Sequence, residues 1–347
     1  MVSKERLEKL VRAAMPPAAT RKFLQLFYEF GRGEGFFPEK PRDLKDEELG
    51  KWMRAKKFIS DNELLERLTR WIKNYGTEKI FSDFQPQGIS RLPAKTLANF
   101  LLTQHGDCIA MSTALGEMAS RMGFNVQYFS VEKENLDLSK MPERAKEIIE
   151  RQTGGHSYVA IEGLQYDPTL GKIGTTHRGK EETREQRAAD IWTNHGAFLV
   201  GMRRYKLAIK SQELALEINP RFAIAWNNKG VALDDLGEYD KAIECYDKAL
   251  EINPMYEQAW NNKGAALAGL KRYAEAIKCY DKALEINPMY AKAWYNKGAD
   301  LVRLERYKEA IKCAKEALRL TPEGDPNRQV MEKLLSELRK KLKNKND

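Results

Sequence analysis

Histidine and cysteine are scarce in this chain, four of each in 347 residues. No Cys-x-x-Cys pair occurs, so neither a disulfide framework nor a paired zinc-ligand pattern is available. No run of roughly eighteen apolar residues is found, which excludes a helical membrane span by pattern. The opening segment MVSKERLEKLVRAAM is charged throughout and lacks the apolar stretch of a secretory leader. A soluble, cytoplasmic protein with no membrane partner is therefore expected. Dense basic blocks are also missing outside the tail RKKLKNK. The formal net charge of +9 comes from 59 basic and 50 acidic residues scattered along the chain, so nucleic acid is not the expected partner. With 42% hydrophobic and 31% charged residues, the composition is that of folded protein, and the length suffices for two domains.

What is present is repetition. AWNNKGVALDDLGEYDKAIECYDKALEINP returns as AWNNKGAALAGLKRYAEAIKCYDKALEINP and as AWYNKGADLVRLERYKEAIKCAKEALRLTP, with a period of 34. Trp226, Trp260 and Trp294 fall in register, as do Gly230, Gly264 and Gly298, then Tyr239, Tyr273 and Tyr307, then Pro254, Pro288 and Pro322. One period earlier, IWTNHGAFLVGMRRYKLAIKSQELALEINP supplies Trp192, Gly196, Tyr205 and Pro220. The pattern resembles the tetratricopeptide repeat family. That resemblance implies an all-α superhelix of stacked helical hairpins, because a single hairpin cannot cover its own apolar face. Beyond the last copy, Val330, Met331, Leu334, Leu335, Leu338 and Leu342 form one apolar stripe of a capping helix.

Cys245, Cys279 and Cys313 share one slot of the repeat and read as small apolar core residues. Only Cys108 lacks an equivalent. In tetratricopeptide arrays the first helix of each hairpin lines the concave surface, and here it carries Asn194, Asn228, Asn262 and Asn296. An amide both donates and accepts, so the ladder could hold an extended protein or peptide segment. The alternative is that the amides bond to neighbouring repeats. Charge along the array is uneven: residues 223–256 carry three bases against seven acids, and residues 291–324 carry eight against five. Lys292 and Arg303 are the cations expected on the concave face. His195 stands in the slot of Lys229, Lys263 and Lys297 and is expected at the surface.

The first half reads differently. Apolar spacings of three and four predict helices over Glu5–Met15, Thr20–Phe30, Lys45–Phe58 and Asn62–Tyr75. FSDFQPQGISRLPAKT, residues 81–96, reads as a loop. In QHGDCIAMSTALGEMASRMGF, Met111, Leu115, Met118 and Met122 mark the inward face of a helix ending at Gly123. Asp107 is the expected N-cap, which puts Cys108 in the first turn. There the free N–H groups and the helix dipole favour a thiolate, shifting a thiol from about 8.5 toward roughly 3.5–7.5. NVQYFSV alternates as a strand, Pro142–Gln152 reads as a charged helical insertion, and HSYVAI and LQYD read as strands joined at Glu162 and Gly163. That turn sets Ile161 opposite Leu164 and Tyr158 opposite Asp167. His156 then lies diagonal to Asp167, about 7–8 Å away at Cα.

Gly-Asp-Cys opening a helix, a glycine after it, a strand, His-x-x-Val and then Asp-Pro make a combination similar to the transglutaminase-like superfamily. It spans roughly residues 60–175. The resemblance implies an α+β papain/transglutaminase-like fold in which Cys108 is the nucleophile, His156 the general base and acid, and Asp167 the group that orients the imidazole. The backbone N–H of Cys108, with Gln104 as a candidate second donor, would hold the oxyanion. No cofactor is expected, and no acidic cluster resembles a calcium site. The rival reading of the same residues is a metal set of His105, Cys108, His156, Asp167 and His177.

The domain expectation is a helical extension over 1–59, a transglutaminase-like domain over 60–188, four repeats over 189–324 and a capping helix over 325–347. The main functional expectation is a cysteine-dependent acyl-transfer enzyme, amidase, peptidase or transglutaminase in type, whose repeats recruit a protein partner or substrate. The alternative is a non-catalytic interaction scaffold that retains the fold.

Overall fold

The computed structural model describes residues 3–14, 17–45, 48–57, 59–75, 108–131, 156–167, 172–173, 180–322 and, further on, 328–329, 332–333, 335–336 and 338. The predicted loop at 81–96, the insertion at 142–152, and Gln104, His105, Asp107 and His177 lie outside these residues. The chain divides into two units: Met1–His195 with Glu217–Asn219, and Gly196–Leu216 with Pro220–Asp347.

The first unit begins with helices α1 (Lys4–Ala14), α2 (Pro17–Gly33), α3 (Leu49–Ala55), α4 (Asp61–Tyr75) and α5 (Cys108–Arg121). α3 is shorter than the predicted Lys45–Phe58, and Lys57, at φ 47, turns the chain away just beyond it. Each helix buries residues three or four apart: Leu24, Phe27 and Tyr28 on α2, Leu64, Leu68 and Trp71 on α4, Leu115, Met118 and Ala119 on α5. These meet Tyr128, Val159, Ile161 and Tyr166 of the sheet in one core. α2 and α3 are thus part of the same core as α4, α5 and the sheet. Aromatic rings fill its centre, with Phe27 set against Phe37 at 5.9 Å and Trp71 at 5.5 Å.

The sheet comprises β1 (Val126–Val131), β2 (His156–Ile161), β3 (Leu164–Asp167), β4 (Lys172–Ile173) and β5 (Lys180–Glu182), in the order β4-β3-β2-β1-β5 with every neighbouring pair antiparallel. The β2–β3 hairpin has the predicted register, Ile161 opposite Leu164. Its two-residue turn takes positive φ at both Glu162 (51°) and Gly163 (81°), the geometry that matches strand twist. β5, whose Lys-Glu-Glu offers no apolar face, pairs with β1 and leaves no signal in the sequence pattern. For this unit the described residues give helices packed about a small antiparallel sheet.

Helices α6 (Arg184–Gly201) and α7 (Tyr205–Ile218), α8 (Ala223–Asp234) and α9 (Tyr239–Ile252), α10 (Glu257–Gly269) and α11 (Tyr273–Ile286), and α12 (Ala291–Arg303) and α13 (Tyr307–Leu320) follow the 34-residue period. In the second unit the same slot does the same work in each copy. The indole N–H of Trp226, Trp260 and Trp294 donates to the carbonyls of Pro220, Pro254 and Pro288 at 3.0, 2.9 and 2.9 Å. Lys229, Lys263 and Lys297 reach back one repeat to Glu213, Asp247 and Asp281 at 2.9, 2.5 and 2.5 Å. Gly230 and Gly264 let the Tyr246 and Tyr280 rings approach so closely that a Cβ would lie 2.5 Å from a ring carbon. In the last copy Ala314 takes the tyrosine slot, and Gly298 is relieved of that contact.

The C-terminal segment extends the pattern by one step. Arg328, 34 residues after Trp294, donates to the carbonyls of Leu318 and Thr321 at 3.2 and 2.8 Å. Its helical residues Leu335 and Leu338 are buried. Val330, Met331, Leu334 and Leu342 of the predicted stripe lie outside the described residues.

Candidate functional site

In the first unit Cys108 is the first residue of α5, His156 the first of β2 and Asp167 the last of β3. His156 pairs with Val131 and Asp167 with Lys172. In β2 the residues packed with Leu115 and Met118 of α5 are Val159 and Ile161, and His156 holds the alternate register with Tyr158 and Ala160. The imidazole, thiol and carboxylate themselves lie outside the described side chains.

One turn further along α5 is a buried polar network that sequence reasoning missed. The Arg187 guanidinium, with no exposed surface, is 2.8 Å from the Glu182 carboxylate and donates to Ser112 Oγ at 3.1 Å and to the Phe129 carbonyl at 3.3 Å. It also lies over the Tyr128 ring at 4.8 Å. The Tyr128 hydroxyl donates to Glu117 at 3.1 Å, and burial, then the Glu117 charge, push this phenol well above its usual value. A signal did exist: Arg187 shares the helical stripe of Ile191 and His195, a place for an apolar residue or a paired charge.

His195 corrects the surface expectation. It is 1% exposed, packed edge-on against Trp192 at 6.0 Å, and burial lowers its imidazole to about 4. The lysines in its slot are drawn outward by an acid one repeat earlier, and the first copy has no earlier repeat to supply one. The repeat cysteines are core residues as expected: Cys245, Cys279 and Cys313 are buried and free, and burial raises each thiol, that of Cys279 to about 11.

The predicted amide ladder is built into the array. Asn296 donates through Nδ2 to Asn261 Oδ1 at 3.0 Å, Asn261 to Asn262 at 3.3 Å, Asn262 to Asn227 at 3.1 Å and Asn227 to Asn228 at 3.3 Å. A single chain of amides therefore runs across α12, α10 and α8. Of the two alternatives left open by the sequence, bonding between repeats is observed, and it does not exhaust the groups: the chain uses one N–H and one lone pair of Asn262 and leaves one of each. Asn228, Asn262 and Asn296 are half-buried, as is Asn194 on α6. Asn227 and Asn261 carry the chain as well; the doublet in AWNNKG marks them in the sequence, and Tyr295 ends the doublet in the fourth copy.

Two carboxyls lie on the same helices, Asp234 at the end of α8 and Asp300 on α12. Asp234 is raised to about 6 by burial and then by Asp235, with Lys292 opposing. Asp300 is also raised to about 6 by burial, and accepts from the Tyr280 hydroxyl at 3.3 Å.

Helical hairpins with this period and these slots define a helical-repeat array. Residues 189–323 are tetratricopeptide repeats: the family "Tetratricopeptide repeat" matches at 189–222, 223–256, 257–290 and 291–323. No curated protein matches the chain. Among solved structures, MamA is 23% identical over 38% of this chain and 77% of its own, with a TM-score of 0.36. The MamA fragment from Desulfovibrio magneticus RS-1 is 22% identical over 45% of this chain and 85% of its own, at 0.40. The first repeat domain of Spaghetti (RPAP3), solved with an HSP90 peptide, is 28% identical over 35% of this chain and 92% of its own, at 0.33. No helix among the described residues is long and apolar enough to cross a membrane.

Proposed function

We propose that the protein is a recruiting platform whose repeat array holds an extended segment of a protein partner on the asparagine-bearing face of α8, α10 and α12. The observation that carries this is the amide chain from Asn296 to Asn228. Each amide is oriented by its neighbour before any partner arrives, so less ordering is needed on binding, and the unused N–H and oxygen sites match a peptide backbone. Selection of a displayed random-peptide library on the immobilised full chain tests it. Enrichment is expected, and the enriched peptide should bind at least about tenfold more weakly to Asn262→Leu. No enrichment, or equal binding by the variant with its helical circular dichroism intact, overturns the proposal.

A second reading belongs to the first half: a papain/transglutaminase-like domain over residues 60–188 in which Cys108, His156 and Asp167 act as a thiol triad. It is favoured by the place of Cys108 at the start of α5 and of His156 and Asp167 on neighbouring strands. In it the Cys108 thiolate attacks an acyl carbon, His156 protonates the leaving group, and water or an amine releases the acyl group. The alternate register of His156 relative to Val159 and Ile161 places this reading second. Iodoacetamide labelling from pH 5 to 9 decides it. The triad requires Cys108 to react well below pH 8.5 and to lose that reactivity in His156→Ala. A Cys108 titrating near 8.5 and indifferent to His156→Ala ends this reading.

A further inference from the structure

The array changes sign along its length. Residues 223–256, 257–290 and 291–324 carry three bases against seven acids, five against four, and eight against five. The same order holds on the face of the first helices. Asp234 and Asp235 end α8, the neutral Gln258 and Asn262 lie on α10, and Lys292 and Arg303 bracket α12. By helical spacing Asp235 shares a stripe with Asn228, and Lys292 and Arg303 share one with Asn296. Lys292 opposes the burial that raises the Asp234 carboxyl, and among the described residues neither of these two makes an ion pair. Asp235 and Lys292 are exposed, and Arg303, 4.0 Å from the Asp300 carboxylate, lies over the Tyr273 ring at 5.5 Å. α10 itself contributes Ala268 and Gly269 in the slots of Asp234 and Asp235, and its one cation, Lys263, is paired with Asp247.

We infer that the segment held on this face carries opposite charges in a fixed order, a lysine or arginine beside Asp234 and Asp235 and a carboxylate beside Lys292 and Arg303. This rests on the recruitment reading and adds the chemistry of the partner. The argument is charge complementarity: a uniformly acidic segment meets the aspartate pair with like charge, a uniformly basic one meets Lys292 and Arg303, and a segment of mixed sign docked backwards meets both. The asparagine chain between the poles accepts backbone of any sequence, so sign and order are what the face selects.

The test compares the natural full chain with a charge exchange, Asp235→Lys combined with Lys292→Glu, both at exposed positions, with helical circular dichroism as the check that the variant is folded. Displayed random heptapeptides are selected on each protein. The expected result is a base toward one end and an acid toward the other, always in the same order. The enriched peptide should bind the exchanged protein about tenfold or more weakly, and the exchanged protein should select the reverse order. Peptides without charge order, peptides of one sign, or an order unchanged by the exchange overturn the inference and leave recruitment standing. A dimer seen by sedimentation without peptide, and disrupted by the exchange, identifies a second copy of the chain as the occupant and overturns it as well. Absence of any enrichment overturns both readings.

Discussion

At the scale of single residues, the strongest dependence falls on Arg187. Its guanidinium is buried with Glu182 as ion-pair partner, so removing the cation leaves a carboxylate stranded in the interior. Arg187→Met is expected to cost about 3–5 kcal/mol in denaturant unfolding, and Arg187→Lys to recover only part of it, because an ammonium cannot serve Glu182, Ser112 and the Phe129 carbonyl at once. Asp300 gives a pH signature. Its carboxyl is raised in the folded protein to about 6 from an ordinary 3.8, so its contribution is fully present below pH 3.8 and is lost as pH rises through 6. Asp300→Asn keeps an acceptor for Tyr280 and removes the buried charge. Relative to the natural chain it is expected to be more stable at pH 7.5 than at pH 4 by about 1–3 kcal/mol, and an equal difference at both pH values contradicts the assignment.

At the scale of elements, the first-to-second helix turns of the four copies repeat a left-handed residue: Arg203 at φ 56, Gly237 at 79, Lys271 at 61 and Glu305 at 56. Only one copy uses glycine. Lys271→Gly is expected to stabilise by about 0.5–1 kcal/mol in thermal or urea unfolding, and a loss of stability would show that the Lys271 side chain matters more than its backbone. Elements were legible in the sequence where a local rule repeats or closes on itself. The repeat helices could be read because tryptophan, glycine, tyrosine and proline recur at each slot, and the β2–β3 register because a two-residue turn leaves no other pairing. β5 and the true length of α3 were not legible. Lys-Glu-Glu becomes a strand only because β1 offers it an edge, and the end of α3 is set by the φ of Lys57.

At the scale of the whole molecule, the sequence predicts a first half of mixed helix and strand and a repeating second half. The repeats are tetratricopeptide repeats, and the structure adds what periodicity could not carry: the amides of successive copies join into one chain. The sequence leaves open whether the asparagines face a partner or bond between repeats, since a spacing of 34 says nothing of what two neighbouring copies do to one another. For the same reason the slot of His195 does not reveal its burial, being outward only where an earlier repeat provides an acid. The thiol reading stands on motif order and on the backbone places of Cys108, His156 and Asp167, and the labelling of Cys108 decides it. The central claim is that a partner segment lies on the asparagine face, and the most direct measurement is amide hydrogen exchange of the full chain with and without an enriched peptide. The account expects slowed exchange concentrated in α8, α10 and α12. Protection confined to residues 1–183, or no protection at saturating peptide, would contradict it.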